Sequence, residues 1–550
     1  MPSGDRPNSD PPKLRLALTL PGAVSLGSYH GGALAALVIA AQNSGGQIVI
    51  DAMATASAGS ITGVLAARAL LNGCDPVALM TSAWVEADSL RNLRSSDTTS
   101  VLSAEPLVQL AADLLDVNGS VPDGGTDTPR QAEPIHISMA LASLGGLSYQ
   151  IPSIDRDLPP FQALTHLDWW SARFSADGDA SQFLAATKPA LASAANALGF
   201  PPILLDRSSD RETYIANHVL NVPADDSAWQ VWYTDGGTLD DQPFGRAIEL
   251  VNVAESAGDI PTLEGDDVRL FLLVEPQPAT IEDTSRWWNP DHRPAWTFTL
   301  FDVFNLKGSQ SIYDDLRKLE KTNSHVRWTA AACETITNAL QLALSALGDL
   351  DADRRSEVES AIAAALGESL TTMVADRHLL DTQRASVATE PQPQPLEQRP
   401  PPSDDLAKLL HDLVHRASGL QGKRRAQVEM VSPLLDGDSP PIADRLAGDF
   451  LFHFGGFVDE DFRKHDFLVG WNNMRTWLAQ RASQHGFEPA LDAVDKRRRA
   501  LGWRLKPENP SLGSLPLGDK WQLTRAAAHV GRVISHDIIG LLGDDEPASG

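Results

Sequence analysis

Basic charge is what this 550-residue chain has least of: 45 lysines and arginines face 72 aspartates and glutamates, a net charge of −27. A phosphate backbone needs a basic face, so nucleic acid is excluded as the main partner. The local basic runs at residues 423–425 and 496–499 read as solvated helix surface. Cysteine is nearly absent as well. Cys74 and Cys333 build no disulfide framework, lack the spacing of a metal site, and read as small buried apolar residues of a reducing compartment. Aromatic residues make up only 6% of the chain against 42% for all apolar types, a balance that suits an α/β or α-rich core. Long unbroken apolar runs are missing too. Residues 13–20 alternate charged or small residues with leucine, which is strand periodicity, and residues 33–41 fall short of the roughly 20 needed to span a bilayer. The expectation is a soluble, cytoplasmic protein.

The polar, proline-rich residues 1–13 read as a disordered tail. Strand patterns then alternate with helix patterns: strands at 14–20, 48–53, 135–141, 231–233 and 268–274, helices at 32–41, 61–71 and 107–115. This alternation predicts a mostly parallel sheet with helices on both faces and a site at the carboxyl ends of its strands. Residues 87–133 and 206–228 interrupt the pattern and read as a lid or as inert insertions. Beyond residue 301 helix patterns dominate, at 328–347, 358–380, 406–416 and 521–542, divided by a proline-rich linker at 388–405.

The chemistry concentrates in three places. Thr55-Ala56-Ser57-Ala58-Gly59 joins the second strand to the second helix. A serine between small residues at such a turn is how α/β hydrolases expose a nucleophile, since only small neighbours let strand and helix pack so closely. Thr55 stands where that motif has its first glycine, and its β-branch is expected to crowd the elbow. A serine needs a base, and Asp235 is the best candidate. An apolar strand runs into Asp235-Gly236-Gly237, setting a carboxylate at a strand's carboxyl end, on the same edge as Ser57. The second Asp-Gly-Gly, at Asp123, follows no strand and reads as a turn. The third place is Pro21-Gly22-Ala23-Val24-Ser25-Leu26-Gly27, directly after the first strand. Its clustered N–H groups suit a developing oxyanion, with Gly22 and Ala23 as donors and Ala58 as a third. It fits neither the phosphate-binding nor the dinucleotide-binding glycine pattern.

These elements, in this order, resemble the patatin-like phospholipases. Pro189-Ala190-Leu191-Ala192-Ser193-Ala194-Ala195 and Leu239-Asp240-Asp241-Gln242-Pro243 are similar to further segments of that family. Residues 455–470 resemble the extension of its longer bacterial members. The resemblance implies a three-layer α/β/α catalytic domain over residues 14–300 and a mainly helical region over 301–545. It also implies a Ser57–Asp235 dyad that cleaves carboxylic esters of glycerophospholipids or other acyl lipids through an acyl-enzyme. Gly59, Gly236 and Gly237 would shape the turns. No metal or other cofactor is implied; the partner is an acyl lipid, met in transient contact with a membrane surface. The alternative is a catalytically silent relative that binds lipid or protein. A Ser–His–Asp triad is disfavoured, because no histidine after the acid sits at an identifiable strand end. His411 and His415 share a helix face without the glutamate of a zinc-protease motif. His30 is read as structural or near the pocket, and the pairs Trp169-Trp170 and Trp287-Trp288 as core packing in preference to a lipid interface.

Overall fold

A computed structural model describes the backbone of residues 11–87, 100–116, 128–151, 159–178, 181–197, 199–223, 228–263, 269–278, 296–346, 426–436, 445–449, 453–505 and 517–543, with a few isolated positions between them. Residues 1–10 of the expected tail, Asp123, the proline-rich linker, Trp287-Trp288, His411, His415 and most of residues 358–380 lie outside the described residues.

Among the described residues, eight strands form one mixed, mostly parallel sheet: β1 (Leu14–Leu20), β2 (Ile48–Thr55), β3 (Ile135–Ile151), β4 (Phe161–Phe174), β5 (Ile203–Asp206), β6 (Gln230–Asp235), β7 (Arg269–Val274) and β8 (Gln427–Val431). The order is β5-β6-β3-β2-β1-β7-β8, with β4 also on β3. Helices α1 (Gly27–Asn43), α2 (Ala58–Asn72), α3 (Pro76–Thr81), α4 (Glu105–Leu115), α5 (Ser181–Ala185), α6 (Thr187–Ser193), α7 (Arg211–Ala216) and α8 (Phe244–Ala257) belong to the first half. The second half adds α9 (Trp296–Ala346), α10 (Glu460–Ala479), α11 (Ala482–His485), α12 (Glu488–Ala500) and α13 (Leu517–Gly543).

Period-two alternation sorts the side chains of β1. Leu14, Leu16, Leu18 and Leu20 enter the large core beneath α1 and α2, while Ala17 faces α8 on the other side. In β2 the parity changes partway: Ile48 and Ile50 face the large core, as does Met53, whereas Ala52 and Ala54 face α8. The cause is a bulge. The register slips from Leu16↔Ile50 to Ala17↔Ala52, leaving Asp51 as the extra residue. Asp51 is fully buried and accepts hydrogen bonds from Arg15 Nε (3.0 Å) and Arg269 Nε (2.6 Å), so its charge is paired on both sides. One consequence reaches the end of the strand, where the slip turns Thr55 toward α2.

α1 is apolar nearly all round because it is covered all round, by the sheet and by α10. Two glycines permit the close helix contact: a Cβ on Gly32 would lie 1.8 Å from the Phe467 carbonyl, and one on Gly470 would lie 2.1 Å from that of Tyr29. Among the described residues, the stretch 24–43 is the one helix long and apolar enough to cross a membrane, and 89% of its apolar window is buried inside the protein.

The second half is less separate than the sequence suggests. β8 pairs in parallel with β7, and α10 and α12 supply Phe467, Trp471, Trp477 and Val494 to the same core as β1 and α1. β4, β5 and β8 are strands that the sequence pattern does not announce.

Candidate active site

β3 determines where the two reactive side chains meet. Its first part pairs in parallel with the end of β2, from Ala52↔His136 to Thr55↔Met139, and then the strand runs on past that end. β4 occupies the other flank of β3 throughout. The edge that β2 vacates is taken by β6, which runs antiparallel with Leu141↔Asp235 and Ser143↔Tyr233. The carboxyl ends of β2 and β6 therefore point at one another. The expected position of Asp235 at the end of a strand is what the structure has, but not the direction expected of a parallel sheet: β6 reaches the site from beyond it.

Ser57 follows β2 and occupies the position just before α2 with φ 50° and ψ −129°, a conformation costly for a residue with a side chain. Its Oγ donates to Asp235 Oδ2 at 2.8 Å, and both residues are buried. The other oxygen, Oδ1, accepts from Gly237 N–H at 2.8 Å, and the Asn196 side chain also bonds the carboxylate. Burial pushes the Asp235 carboxyl up to about 6, against the downward pull of those three hydrogen bonds. A base titrating there accepts a proton more readily than an ordinary carboxylate, yet is ionised at neutral pH.

The glycines around the dyad are positions of close approach. A Cβ on Gly59 would meet the Leu20 carbonyl at 2.3 Å, and one on Gly236 would meet that of Ala140 at 2.0 Å. Thr55 does not crowd the elbow. A Cβ on Gly63 would lie 3.1 Å from the Thr55 methyl, so the missing side chain there makes room for the β-branch. The Thr55 hydroxyl contacts Ser60 Oγ (2.9 Å), which contacts Ser193 Oγ (2.8 Å), which accepts the Ser57 N–H (3.0 Å).

The loop after β1 differs from expectation at one donor. The Gly22 N–H is directed at Asp241, bonding its Oδ1 at 3.1 Å and its backbone oxygen at 3.2 Å. Asp241 is half-buried near Glu275, Asp235 and Asp240, and its desolvation raises its carboxyl well above the ordinary value. A neighbouring carboxyl, Glu275, is lifted by burial to about 7. Of the three donors expected for an oxyanion, Gly22 is therefore engaged. The Ala23 N–H has no hydrogen bond among the described residues. Ala58 opens α2, where a helix's first amide has no partner within the helix. Val24, next in the loop, holds φ 47°, unusual for a β-branched residue, and lines the cavity beside Ser57.

That cavity is a partly open cleft of about 810 Å³, open solvent included. Ser57, Thr187 and Asn196 are its polar lining, and the rest is apolar. α4, the helix within residues 87–133, supplies one wall through Leu107, Leu110, Ala111, Leu114 and Leu115. Residues 206–228 instead hold β5's last residue and α7, whose Tyr214 packs on Trp229.

The other candidates lie apart from the dyad. His30 is buried, with Nε2 3.0 Å from the Val274 carbonyl, and burial lowers its pKa to about 4, leaving it neutral. Trp169 and Trp170 sit half-buried on β4, the first beneath the Arg246 guanidinium at 5.1 Å. Cys74 and Cys333 are buried and form no disulfide. No group that would hold a metal ion is found among the described residues. Val24, Ser193 and Asp241 lie in segments that the sequence marks out but without a role there, and Asn196 lies just outside them. The signal for their place at the site is three-dimensional.

Compared with models of known protein families, the chain matches none, and no curated protein matches it either.

Proposed function

We propose that the protein is a serine acyl hydrolase of patatin-like type that cleaves carboxylic esters of glycerophospholipids or other acyl lipids. The observation that carries this reading is the 2.8 Å hydrogen bond to a buried Asp235 from a strained, elbow-borne Ser57 that lines an apolar cavity. Asp235 takes the Ser57 proton as Oγ attacks the acyl carbonyl, and the carbonyl π pair moves onto oxygen. The Ala23 and Ala58 N–H groups, with the positive end of α2, stabilise that oxyanion. Collapse of the intermediate expels the alkoxide, which receives the proton from Asp235, and Ser57 is left acylated. Water activated by Asp235 then attacks the acyl-enzyme and releases the fatty acid. The cavity suits an aliphatic chain because each methylene moved into it from water contributes about 0.8 kcal/mol.

One observation favours the second reading, a silent lipid-binding protein: the Gly22 amide is engaged by Asp241 and not offered to a substrate. Labelling with a fluorophosphonate separates the two. The hydrolase reading expects a covalent adduct on the wild-type protein and none on Ser57→Ala. An unlabelled, folded wild type that still binds fatty acid would favour the silent one.

A further inference from the structure

The strained elbow is held by side chains that the dyad chemistry does not use. The Ser57 N–H donates to Ser193 Oγ at 3.0 Å, so the elbow is tied to the end of α6, 136 residues away in sequence. Ser193 Oγ lies 2.8 Å from Ser60 Oγ, and Ser60 Oγ 2.9 Å from Thr55 Oγ1. Thr55 Oγ1 donates in turn toward the Ser138 carbonyl of β3 at 3.4 Å. That last contact sets the direction of the whole chain. If Thr55 donates to Ser138, Ser60 must donate to Thr55 and Ser193 to Ser60, and each hydroxyl then donates once and accepts once. Ser60 has a second hold, because its own N–H donates to the Ser57 carbonyl at 2.9 Å. The carbonyl of the strained serine is thus fastened by Ser60, and its amide by Ser193, which Ser60 contacts.

All four residues are buried, with Thr55, Ser60 and Ser193 wholly shielded from solvent. A buried hydroxyl deprived of its partner is costly, which makes such a chain stiff. Two features of this sequence bring Thr55 into it. The bulge at Asp51 turns residue 55 toward α2, and Gly63 leaves room for its methyl group. Glycine, which the elbow motif usually has here, carries no hydroxyl.

We propose that Thr55, Ser60 and Ser193 are positioning residues that hold Ser57 in its attacking conformation through this hydroxyl chain, with Thr55 as its anchor on the sheet. The role rests on the hydrolase reading given above, but the geometry also predicts an effect that needs no turnover. The test measures two quantities on Ser193→Ala, Thr55→Val, Thr55→Ser and Ser60→Ala: the rate of fluorophosphonate labelling, and hydrogen exchange at the Ser57 amide. Thr55→Val keeps the branched shape and exchanges the hydroxyl for a second methyl group, so its packing survives.

Ser193→Ala slows labelling on the order of tenfold, the effect of one net hydrogen bond, and Thr55→Val slows it severalfold. Thr55→Ser restores most of the rate. Thr55→Val combined with Ser193→Ala is no slower than Ser193→Ala alone, since both act through one chain. Exchange at the Ser57 amide quickens in Ser193→Ala, Ser60→Ala and Thr55→Val. Wild-type labelling and exchange rates in Thr55→Val would overturn the proposal, as would Thr55→Ser behaving like Thr55→Val. If the wild type takes no label, the hydrolase reading fails by itself, and amide exchange still decides on the chain.

Discussion

Replacing Asp235 with asparagine tests the dyad through stability as well as rate. Burial raises the Asp235 carboxyl from its ordinary 3.8 to about 6, so the folded protein holds that proton more tightly than the unfolded chain. Below pH 4 the group is protonated in both states and contributes no difference. Between about 4 and 6 the unfolded chain has released the proton and the folded protein has not, so stability falls as pH rises. Above 6 both forms are ionised, and the full cost of a buried charge, about 3 kcal/mol at 1.36 kcal/mol per pKa unit, has been incurred. Asparagine does not titrate. The stability of Asp235→Asn relative to wild type should therefore climb with pH by about 3 kcal/mol in total, with roughly half of that between pH 5 and 8. Glu275, Asp241 and Asp466 titrate in both proteins and largely cancel in the comparison. Urea unfolding of the pair at pH 5, 6, 7 and 8 measures the difference directly. In parallel, wild-type kcat/KM should rise through about pH 6 to a plateau, and Asp235→Asn should lose turnover at every pH. Parallel stability curves for the two proteins, or a rate indifferent to pH between 5 and 7, would refute the claim that this carboxylate is buried and acts as base.

The cavity predicts a chain-length series. Hydrolysis of p-nitrophenyl esters should gain in kcat/KM by about fourfold per buried methylene until the cavity is filled. Ala111→Trp on the α4 wall should move that optimum to shorter acyl chains, and an unchanged optimum would reject α4 as the wall. Far from the site, Asp51→Ala should destabilise the protein by about 3–5 kcal/mol, because it leaves Arg15 and Arg269 buried without their shared partner. Thermal unfolding within a degree or two of wild type would show that the bulge charge is solvated.

Much of the site was legible because its parts are local. An apolar strand leading into Thr55-Ala56-Ser57-Ala58-Gly59, a glycine loop directly after β1, and an Asp-Gly-Gly after a strand each need only a few neighbouring residues to be recognised. What was not legible depends on distant segments. The direction of β6 follows from β3 outrunning β2, and nothing between Gln230 and Asp235 encodes it. The Gly22 amide meets a carboxylate 219 residues away, which altered the expected set of oxyanion donors. Val24 at positive φ contradicts local preference and is sustained only by what packs around it. β8 is five residues long, with Val428 and Met430 alternating with Gln427 and Glu429, too short a signal to stand out among helix patterns. The crowding expected at Thr55 was a local inference that Gly63, on the next turn of α2, cancels.

The most direct test of the central claim is to trap the acyl-enzyme. Wild-type protein mixed with p-nitrophenyl dodecanoate, quenched in acid within the first turnover, is digested and its peptides weighed. The account predicts a dodecanoyl mass on the peptide that contains Ser57, absent from Ser57→Ala. Turnover that persists in Ser57→Ala, or a folded wild-type protein that forms no adduct and releases no acid, would contradict it.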